Sequence, residues 1–224
     1  MSISFHPTPR TLMGPGPSDV HPRVLGAMAK ATIGHLDPEF IALMEDIKDL
    51  LRYTFRTENK LTLPLSAPGS AAMEASFANL VEAGDKVIVC INGVFGMRMA
   101  ENVRRMNGEL VTVEDEWGTQ VDPEKVEAAL KANPDAKILA FVHAETSTGV
   151  RSDAQTLCAL AEQYGCLSIV DSVTGLAGIE LEVDAWKADV TYSGTQKCLS
   201  APPGISLITF SDKAAAQVKA RNTT

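Results

Sequence analysis

The sequence predicts an α/β fold built on a mostly parallel sheet. Short apolar segments alternate with amphipathic segments of helical period along most of the chain, and this alternation is typical of parallel α/β layers. Glycine and hydroxyl residues follow several of the apolar segments, where ligand-binding loops usually lie. The length of 224 residues suits one large domain, or one domain and part of a second.

The N-terminal part of the chain has little periodicity and is rich in proline and glycine. We expect residues 1–36 to form an N-terminal arm and residues 37–224 to form the large domain. Gly14-Pro15-Gly16-Pro17 excludes a helix and a central strand, because proline lacks the backbone N–H that both need. This segment is therefore predicted to be a fixed turn that packs on the body of the protein or lies near a ligand.

The first predicted helix begins with Asp37 as its N-cap and Pro38 in its first turn. Its apolar stripe at helical spacing consists of Phe40, Ile41, Met44, Ile47, Leu50, Leu51 and Phe55. A short strand over 61–65 then leads into Gly69-Ser70-Ala71 and a helix that ends near residue 81. A strand, a small-residue turn and a helix N-terminus together favour an anion site, although a plain tight turn fits them equally well.

The rest of the chain alternates between the two element types. Strands are predicted over 86–91, 109–113, 137–142 and 167–170, around 191, and over 205–210. Helices are predicted from about 93 to 106, from 122 to 131 and from 153 to 164. Residues 143–149 form a polar loop at the carboxyl end of a buried strand.

Chemically useful residues follow these predicted strands. Lys197 comes after a short apolar run among hydroxyls and a glycine, where a partly desolvated amine becomes a nucleophile. Asp171 ends an apolar run, so a buried carboxylate with a cationic partner is expected there. Phe95 offers an aromatic face, and the turn at 69–71 offers an anion cradle. Pyridoxal phosphate needs this set of an amine, a carboxylate, an aromatic face and a phosphate site.

Each of these residues also has a purely structural interpretation. Lys197 fits a solvated surface charge, Asp171 a helix cap and Phe95 a core side chain. Glu145 fits a solvated loop charge, with the hydroxyls beside it capping the following helix. His143 is expected to be a hydrogen-bonded structural histidine.

The charge and composition of the chain limit the classes of partner and the cellular setting that we expect for the protein. The net charge of −8 argues against nucleic acids and anionic membranes. The four cysteines lack metal-type spacing. Cys90, Cys158 and Cys166 lie in or beside apolar runs and are interpreted as buried reduced thiols, whereas Cys198 lies next to Lys197 and is given no role. The sequence has no signal-peptide pattern and no apolar run of membrane-spanning length, so a cytoplasmic setting is expected.

At these residues the sequence resembles the class V aminotransferases among the fold type I pyridoxal phosphate enzymes, in the alanine–glyoxylate and serine–pyruvate (serine–glyoxylate) branch. The motifs that carry the resemblance lie at residues 12–18, 69–74, 92–96, 143–149, 170–173, 192–197 and 201–204. The resemblance implies a three-layer αβα domain with one antiparallel strand and a homodimer. It also implies transfer of an amino group from alanine or serine to glyoxylate or pyruvate.

The resemblance implies a role for each matching residue. Lys197 forms the Schiff base and moves the proton, and Asp171 pairs with the pyridine nitrogen. Phe95 and Val173 enclose the cofactor ring, and Thr146 bonds to it. The residues expected to hold the phosphate are Gly69, Ser70, Ala71 and Gln196, and those expected near the substrate carboxylate are Gly14, Pro15 and Gly16.

The chain departs from the family at its end, because family members continue well beyond residue 224 with a C-terminal small domain and a substrate-binding arginine. The resemblance therefore implies that this chain lacks the small domain. On its own, such a chain is expected to fold poorly or to turn over very slowly. Two alternatives stay open: a lyase such as a cysteine desulfurase, and a non-catalytic fragment of the same fold. Desulfurases usually place histidine before the lysine, whereas Gln196 stands here.

Overall fold

The computed structural model describes residues 4–221. The predicted arm (1–36) and large domain (37–224) therefore begin and end in residues outside the described part. The helices are α1 (Pro22–Met28), α2 (Pro38–Phe55), α3 (Gly69–Leu80), α4 (Val94–Arg105), α5 (Pro123–Ala132), α6 (Ala154–Gln163) and α7 (Asp212–Ala220). The strands are β1 (Leu61–Leu65), β2 (Lys86–Ile91), β3 (Glu109–Glu114), β4 (Ile138–Val142), β5 (Ala144–Glu145), β6 (Val150–Arg151), β7 (Leu167–Asp171), β8 (Val190–Gly194) and β9 (Ser206–Phe210).

Seven strands form one sheet in the order β1-β9-β8-β7-β4-β2-β3. The pairs from β3 to β8 are parallel, and β9 runs antiparallel to both β8 and β1. The sheet is thus mostly parallel with one antiparallel strand, which confirms the predicted fold class. β4 and β7 are buried along their whole length because helices cover both faces of the sheet.

Two hydrophobic clusters lie on opposite faces of the sheet. Successive residues of β2 alternate between them, since neighbouring side chains of a strand point to opposite faces. One cluster takes in residues of α2, α5 and α6, and the other takes in residues of α3, α4 and α7. This arrangement is the three-layer αβα domain implied by the resemblance.

Local prediction held for the helix starts and failed at three places. Asp37, Asp122 and Asp153 cap α2, α5 and α6 through their carboxylates, as predicted. The prediction missed α1, α7 and the short β5–β6 hairpin, because helices of seven and nine residues and strands of two residues carry too little periodicity to be seen.

The apolar stripe of α2 is less buried than its spacing suggested. Only Leu51 and Phe55 are buried, whereas Ile41 and Leu50 are 52% and 64% exposed. The C-terminal turns of α2 contact the core, and its N-terminal turns extend beyond it within the described part of the chain.

Candidate functional site

The carboxyl ends of the parallel strands border a cavity of about 190 Å³. The N-terminus of α3, the end of β7 and the loop after β8 meet there, as expected for an open α/β sheet. The cavity is lined by Pro68, Gly69, Ser70, Met73, Phe95, Arg98, Asp171, Val173, Gln196 and Lys197. The structure therefore brings together seven of the nine residues predicted for the cofactor, and places Ala71 and Thr146 outside this lining.

Lys197 lies half-buried between this cavity and the N-terminal arm. Its Nζ donates a hydrogen bond to the Pro15 carbonyl oxygen at 2.8 Å. Ser18 holds the lysine loop in place, because its N–H donates to the Gln196 oxygen and its hydroxyl donates to the Lys197 oxygen. Burial lowers the pKa of Lys197, while Asp171 opposes this shift. A larger fraction of the amine is therefore neutral and nucleophilic at a given pH.

Asp171 is a buried carboxylate that is only 2% exposed. Its Oδ1 accepts a hydrogen bond from the Val173 N–H, and its Oδ2 accepts one from the Tyr192 hydroxyl, both at 2.9 Å. Burial is the main cause that raises its pKa to about 6, against the lowering effect of these two hydrogen bonds. A cationic partner in the cavity would remove the cost of ionising this group.

Tyr192 is a site residue that the sequence analysis missed. It lies on β8 directly beside Asp171 of β7 in the parallel register, and it is fully buried. A tyrosine in a buried strand is ordinarily a core residue, so the only sequence signal was its place in the motif before Lys197. Its hydroxyl orients the carboxylate toward the cavity.

Glu145 is buried, with 1% exposure, so its interpretation as a solvated loop charge was wrong. Its Oε2 accepts hydrogen bonds from the N–H groups of Phe95 at 3.1 Å and Gly96 at 3.4 Å, and its Oε1 accepts from Ser147. The Ser147 hydroxyl in turn accepts from the Val94 N–H at 3.0 Å. Glu145 and Ser147 thus cap α4, whose own N-cap residue is a glycine without a capping side chain.

The residues around the start of α3 form the electropositive end of the cavity. Pro68 is the N-cap and supplies no side-chain hydrogen bond. Arg98 of α4 reaches across, and its Nη1 donates to the Ser70 hydroxyl at 2.9 Å. Among the described residues, the buried Oε1 of Gln196 has no hydrogen-bond partner. The sequence analysis missed Arg98, although its spacing from Phe95 places both on one helix face.

A second cavity of about 420 Å³ lies on the arm side of Lys197. Its lining includes Gly14, Pro15, Gly16, Thr146, Thr174 and Lys197. Gly16 has a φ of +127°, and a Cβ there would lie 2.5 Å from the Lys197 Cδ, so only glycine fits. The Thr146 and Thr174 hydroxyls are 3.3 Å apart at the same cavity. The predicted substrate segment and the predicted ring-binding threonine thus share one cavity with the lysine.

His143 is not the hydrogen-bonded histidine that the sequence suggested. It is fully buried, and neither ring nitrogen has a hydrogen-bond partner within residues 4–221. Its ring packs edge-on against Trp186 at 5.6 Å between centroids, and burial lowers its pKa to about 4. It is therefore a neutral packing residue behind the site.

The four cysteines are all free thiols, and Cys90, Cys158 and Cys166 are buried as predicted. Cys198 is exposed. Over the part of the chain that the structure describes, no group of three or more metal-ligating side chains is close enough together to hold a metal ion.

Comparisons with known proteins agree on one family. The chain is 42% identical over 214 residues to the alanine–glyoxylate aminotransferase of Rattus norvegicus, and 38% identical over 212 residues to the (S)-ureidoglycine–glyoxylate transaminase of Bacillus subtilis. These alignments cover 96% and 95% of this chain. The crystal structure of an alanine–glyoxylate aminotransferase from Nostoc sp. superposes on the whole chain with a TM-score of 0.96 at 43% identity.

The chain is shorter than the proteins it matches. It spans 51% of the length of both curated relatives and 59% of the Nostoc chain. The family model described as "Aminotransferase class-V" matches residues 13–223, which include every residue of the two cavities. The chain therefore belongs to the class-V aminotransferases, which are enzymes that depend on pyridoxal phosphate.

Proposed function

We propose that the protein is an aminotransferase that moves an amino group from a small amino acid, alanine or serine, to a small 2-oxo acid, glyoxylate or pyruvate. The observation that carries the proposal is the cavity shared by the Lys197 amine and the buried Asp171 carboxylate. The rat and Bacillus relatives are named for glyoxylate as their acceptor, which supports glyoxylate here.

The residues of the cavity fit pyridoxal phosphate. Asp171 is buried without a cation beside it in the described ion pairs, and a protonated pyridine nitrogen supplies the missing charge. The start of α3 and the side chain of Gln196 form a polar end of the cavity, and the unpaired N–H groups at a helix start suit a phosphate. Phe95 and Val173 line the cavity between these two ends, where an aromatic ring needs apolar contacts.

Bound there, the cofactor supplies an aldehyde for amine exchange and a ring that accepts electrons from the substrate Cα. Lys197 binds the cofactor through its Nζ, which its lowered pKa prepares for nucleophilic attack. Once the substrate amine had taken its place, the freed Nζ would be the group that takes up and carries the proton of the substrate Cα. Asp171 would pair with the pyridine nitrogen and favour its protonated form, while the Tyr192 hydroxyl and the Val173 N–H fix the orientation of the carboxylate.

The second cavity provides the substrate side of the reaction. Pro15 and Gly16 border it and hold the lysine through the Pro15 carbonyl oxygen. Substrate binding requires this contact to exchange for one with the substrate, since the Nζ must reach the Cα. Thr146 lines this second cavity and is proposed to bond to the cofactor ring from this side.

A lyase of the same fold is the competing function. Gln196 before Lys197 favours transamination, and a transaminase returns to its starting state when a 2-oxo acid is added. A lyase does not depend on a second, keto substrate to complete its cycle.

We also propose that the protein works as a homodimer in the cytoplasm. Apolar side chains of the arm and of α2 are exposed in the single chain, among them Met28, Leu36 and Leu50, and a second copy would cover them. The free thiols fit a reducing compartment. The net charge of −8 argues against nucleic acids as partners. None of the described helices has both the length and the apolar content needed to cross a membrane.

The proposal is tested by visible absorption of the purified protein with added pyridoxal phosphate, beside Lys197→Ala. We expect the band of lysine-bound cofactor in the wild type and not in the variant. Alanine or serine should remove the band, and glyoxylate should restore it. Turnover of Lys197→Ala should fall at least about 100-fold, because a positioned proton carrier contributes on this scale.

Other outcomes separate the alternatives. A band that amino acids remove and that returns without any added 2-oxo acid would favour the lyase. A band that no amino acid removes would mean cofactor binding without transamination. Absence of the band from both proteins would leave a folded fragment without the proposed activity.

A further inference from the structure

Arg98 lies at the rim of the cofactor cavity and is absent from the set of residues that the resemblance indicated. It is in the second turn of α4, exposed to solvent, and it lines the cavity with Gly69, Ser70 and Gln196. Its Nη1 donates to the Ser70 hydroxyl at 2.9 Å, so the guanidinium lies beside the first turn of α3.

Arg98 makes no direct ion pair with a described residue, and the nearest acidic group of the cavity lining is the buried Asp171 carboxylate, whose pKa the arginine helps to lower. None of the ion pairs within residues 4–221 includes it. The start of α3 adds partial positive charge from its unpaired N–H groups. A helix N-terminus therefore attracts anions and disfavours cations. Lys197 is the other basic side chain in the lining. At the start of α3, where Arg98 donates to Ser70, the guanidinium and the helix N-terminus both favour an anion.

The guanidinium is held in position before any ligand binds. Its Cζ lies 5.0 Å from the centroid of the Phe95 ring, in a cation–π contact. Glu145 and Ser147 cap α4, which carries both residues, and this fixes the position of the Arg98 backbone. A planar guanidinium with free N–H groups suits a phosphate, since it offers parallel hydrogen bonds.

We propose that Arg98 binds the phosphate of pyridoxal phosphate, together with the N–H groups of α3. The proposal rests on the proposed function, because it needs the cofactor in this cavity. It assigns to the phosphate site a cation supplied by α4, on the same helix face as the ring-stacking Phe95. One helix then sets both the plane of the cofactor ring and the position of its phosphate.

The test measures the dissociation constants of pyridoxal phosphate and of pyridoxal, which lacks the phosphate, for the cofactor-free protein. The variants are Arg98→Gln, Arg98→Lys and the matched control Arg104→Gln, which removes an exposed arginine from the last turn of the same helix. Far-ultraviolet circular dichroism and thermal unfolding establish that each variant is folded.

We expect Arg98→Gln to weaken pyridoxal phosphate binding about 10- to 100-fold, which is the size of a lost hydrogen bond between charged groups. Pyridoxal binding should change less than about twofold on the same scale. Arg98→Lys should give an intermediate loss, because it keeps the charge and loses the planar geometry. Inorganic phosphate should compete with pyridoxal phosphate more strongly in the wild type than in Arg98→Gln.

The proposal is overturned if Arg98→Gln weakens both ligands equally, which would assign Arg98 to the support of Phe95. Unchanged binding of both ligands in a folded Arg98→Gln would overturn it too, and Arg98→Lys decides the matter if Arg98→Gln does not fold. If the wild type binds pyridoxal phosphate and only the Arg98 effect is missing, the proposed function survives. If the wild type binds neither ligand, both proposals fail.

Discussion

At the scale of single residues, Asp171 shows how burial prepares a group for a partner. Two hydrogen bonds stabilise its ionised form, and yet burial dominates and raises its pKa to about 6. A carboxylate placed in the core without a cation is costly unless a ligand supplies the charge. The two neighbours that hold its oxygens, Val173 and Tyr192, decide its orientation, and neither of them carries a positive charge.

The raised pKa predicts a pH dependence of stability in the cofactor-free protein. The folded carboxyl has a pKa of about 6, against an ordinary value of 3.8. The folded state therefore binds the proton more tightly, so this contribution to stability is present below pH 3.8 and is lost as pH rises through about 6. Its size is on the order of 3 kcal/mol, from about 1.4 kcal/mol for each unit of pKa.

Chemical denaturation of wild type and Asp171→Asn between pH 4 and pH 7 measures this dependence. The free energy of unfolding of the wild type should fall relative to that of Asp171→Asn as the pH rises across that interval. Other carboxyl groups titrate in both proteins, so their contributions cancel in the difference. Addition of pyridoxal phosphate should reduce the difference, because a pyridinium lowers the pKa of Asp171 again. A difference that is constant with pH would contradict the assignment.

At the scale of elements, α4 depends on residues that are distant from it in sequence. Its N-cap is Gly93, where a Cβ would lie 2.3 Å from the Glu145 Cγ, so the glycine leaves room for the carboxylate that does the capping. Gly96 brings the helix close to β2, because a Cβ there would lie 2.6 Å from the Cys90 carbonyl oxygen. The loop after β4 thus determines where Phe95 and Arg98 stand.

Removal of this cap should destabilise the protein and loosen the aromatic contact of the site. We expect Glu145→Ala to lower the free energy of unfolding by about 2–4 kcal/mol, because it leaves the Phe95 and Gly96 N–H groups without their charged acceptor. Denaturant unfolding gives the stability, and the near-ultraviolet circular dichroism of bound cofactor reports the ring contact.

The matched control for this cap is Glu116→Ala, which removes an exposed glutamate and should change stability by no more than about 0.5 kcal/mol. A loss for Glu145→Ala that is no larger than that of the control would show that the carboxylate is not needed for the helix start.

At the scale of the whole molecule, the sheet joins segments far apart in the chain. β1 and β9 pair at one side of the sheet, and the Thr62 and Thr209 hydroxyls meet there at 2.7 Å across 147 residues. Asn59 completes the network. Its side-chain N–H donates to the Thr209 hydroxyl, and its backbone carbonyl oxygen accepts from the Thr62 hydroxyl. Both threonines are fully buried, so these hydrogen bonds have no water to replace them.

A double-mutant cycle measures the coupling free energy between the Thr62 and Thr209 hydroxyls, which join β1 to β9. Thr62→Val and Thr209→Val should each cost about 1–3 kcal/mol, because each leaves a buried polar partner unsatisfied. The double variant should cost less than the sum of the two by at least about 0.5 kcal/mol. Thr112→Val, at an exposed position of β3, serves as the control. Additive costs would mean that the two hydroxyls do not interact.

Much of the fold was predictable because local signals and tertiary structure agree in the central elements. Asp37, Asp122 and Asp153 stand at true helix starts, and the apolar runs from Lys86 to Ile91 and from Leu167 to Asp171 are strands of the sheet. The carboxyl-end rule then placed at one cavity most of the residues that are predicted to bind the cofactor.

The amino-acid sequence by itself determined the α/β class, the order of the main strands and helices, and the grouping of Lys197, Asp171 and the Gly69 turn. Periodicity, caps and chain order are local properties, so they can be read along the chain. Only the tertiary structure decided that Glu145 is buried, that Tyr192 holds Asp171 and that Arg98 faces the cavity. These facts depend on which strands lie side by side, because side chains from separate segments meet only after the sheet has formed.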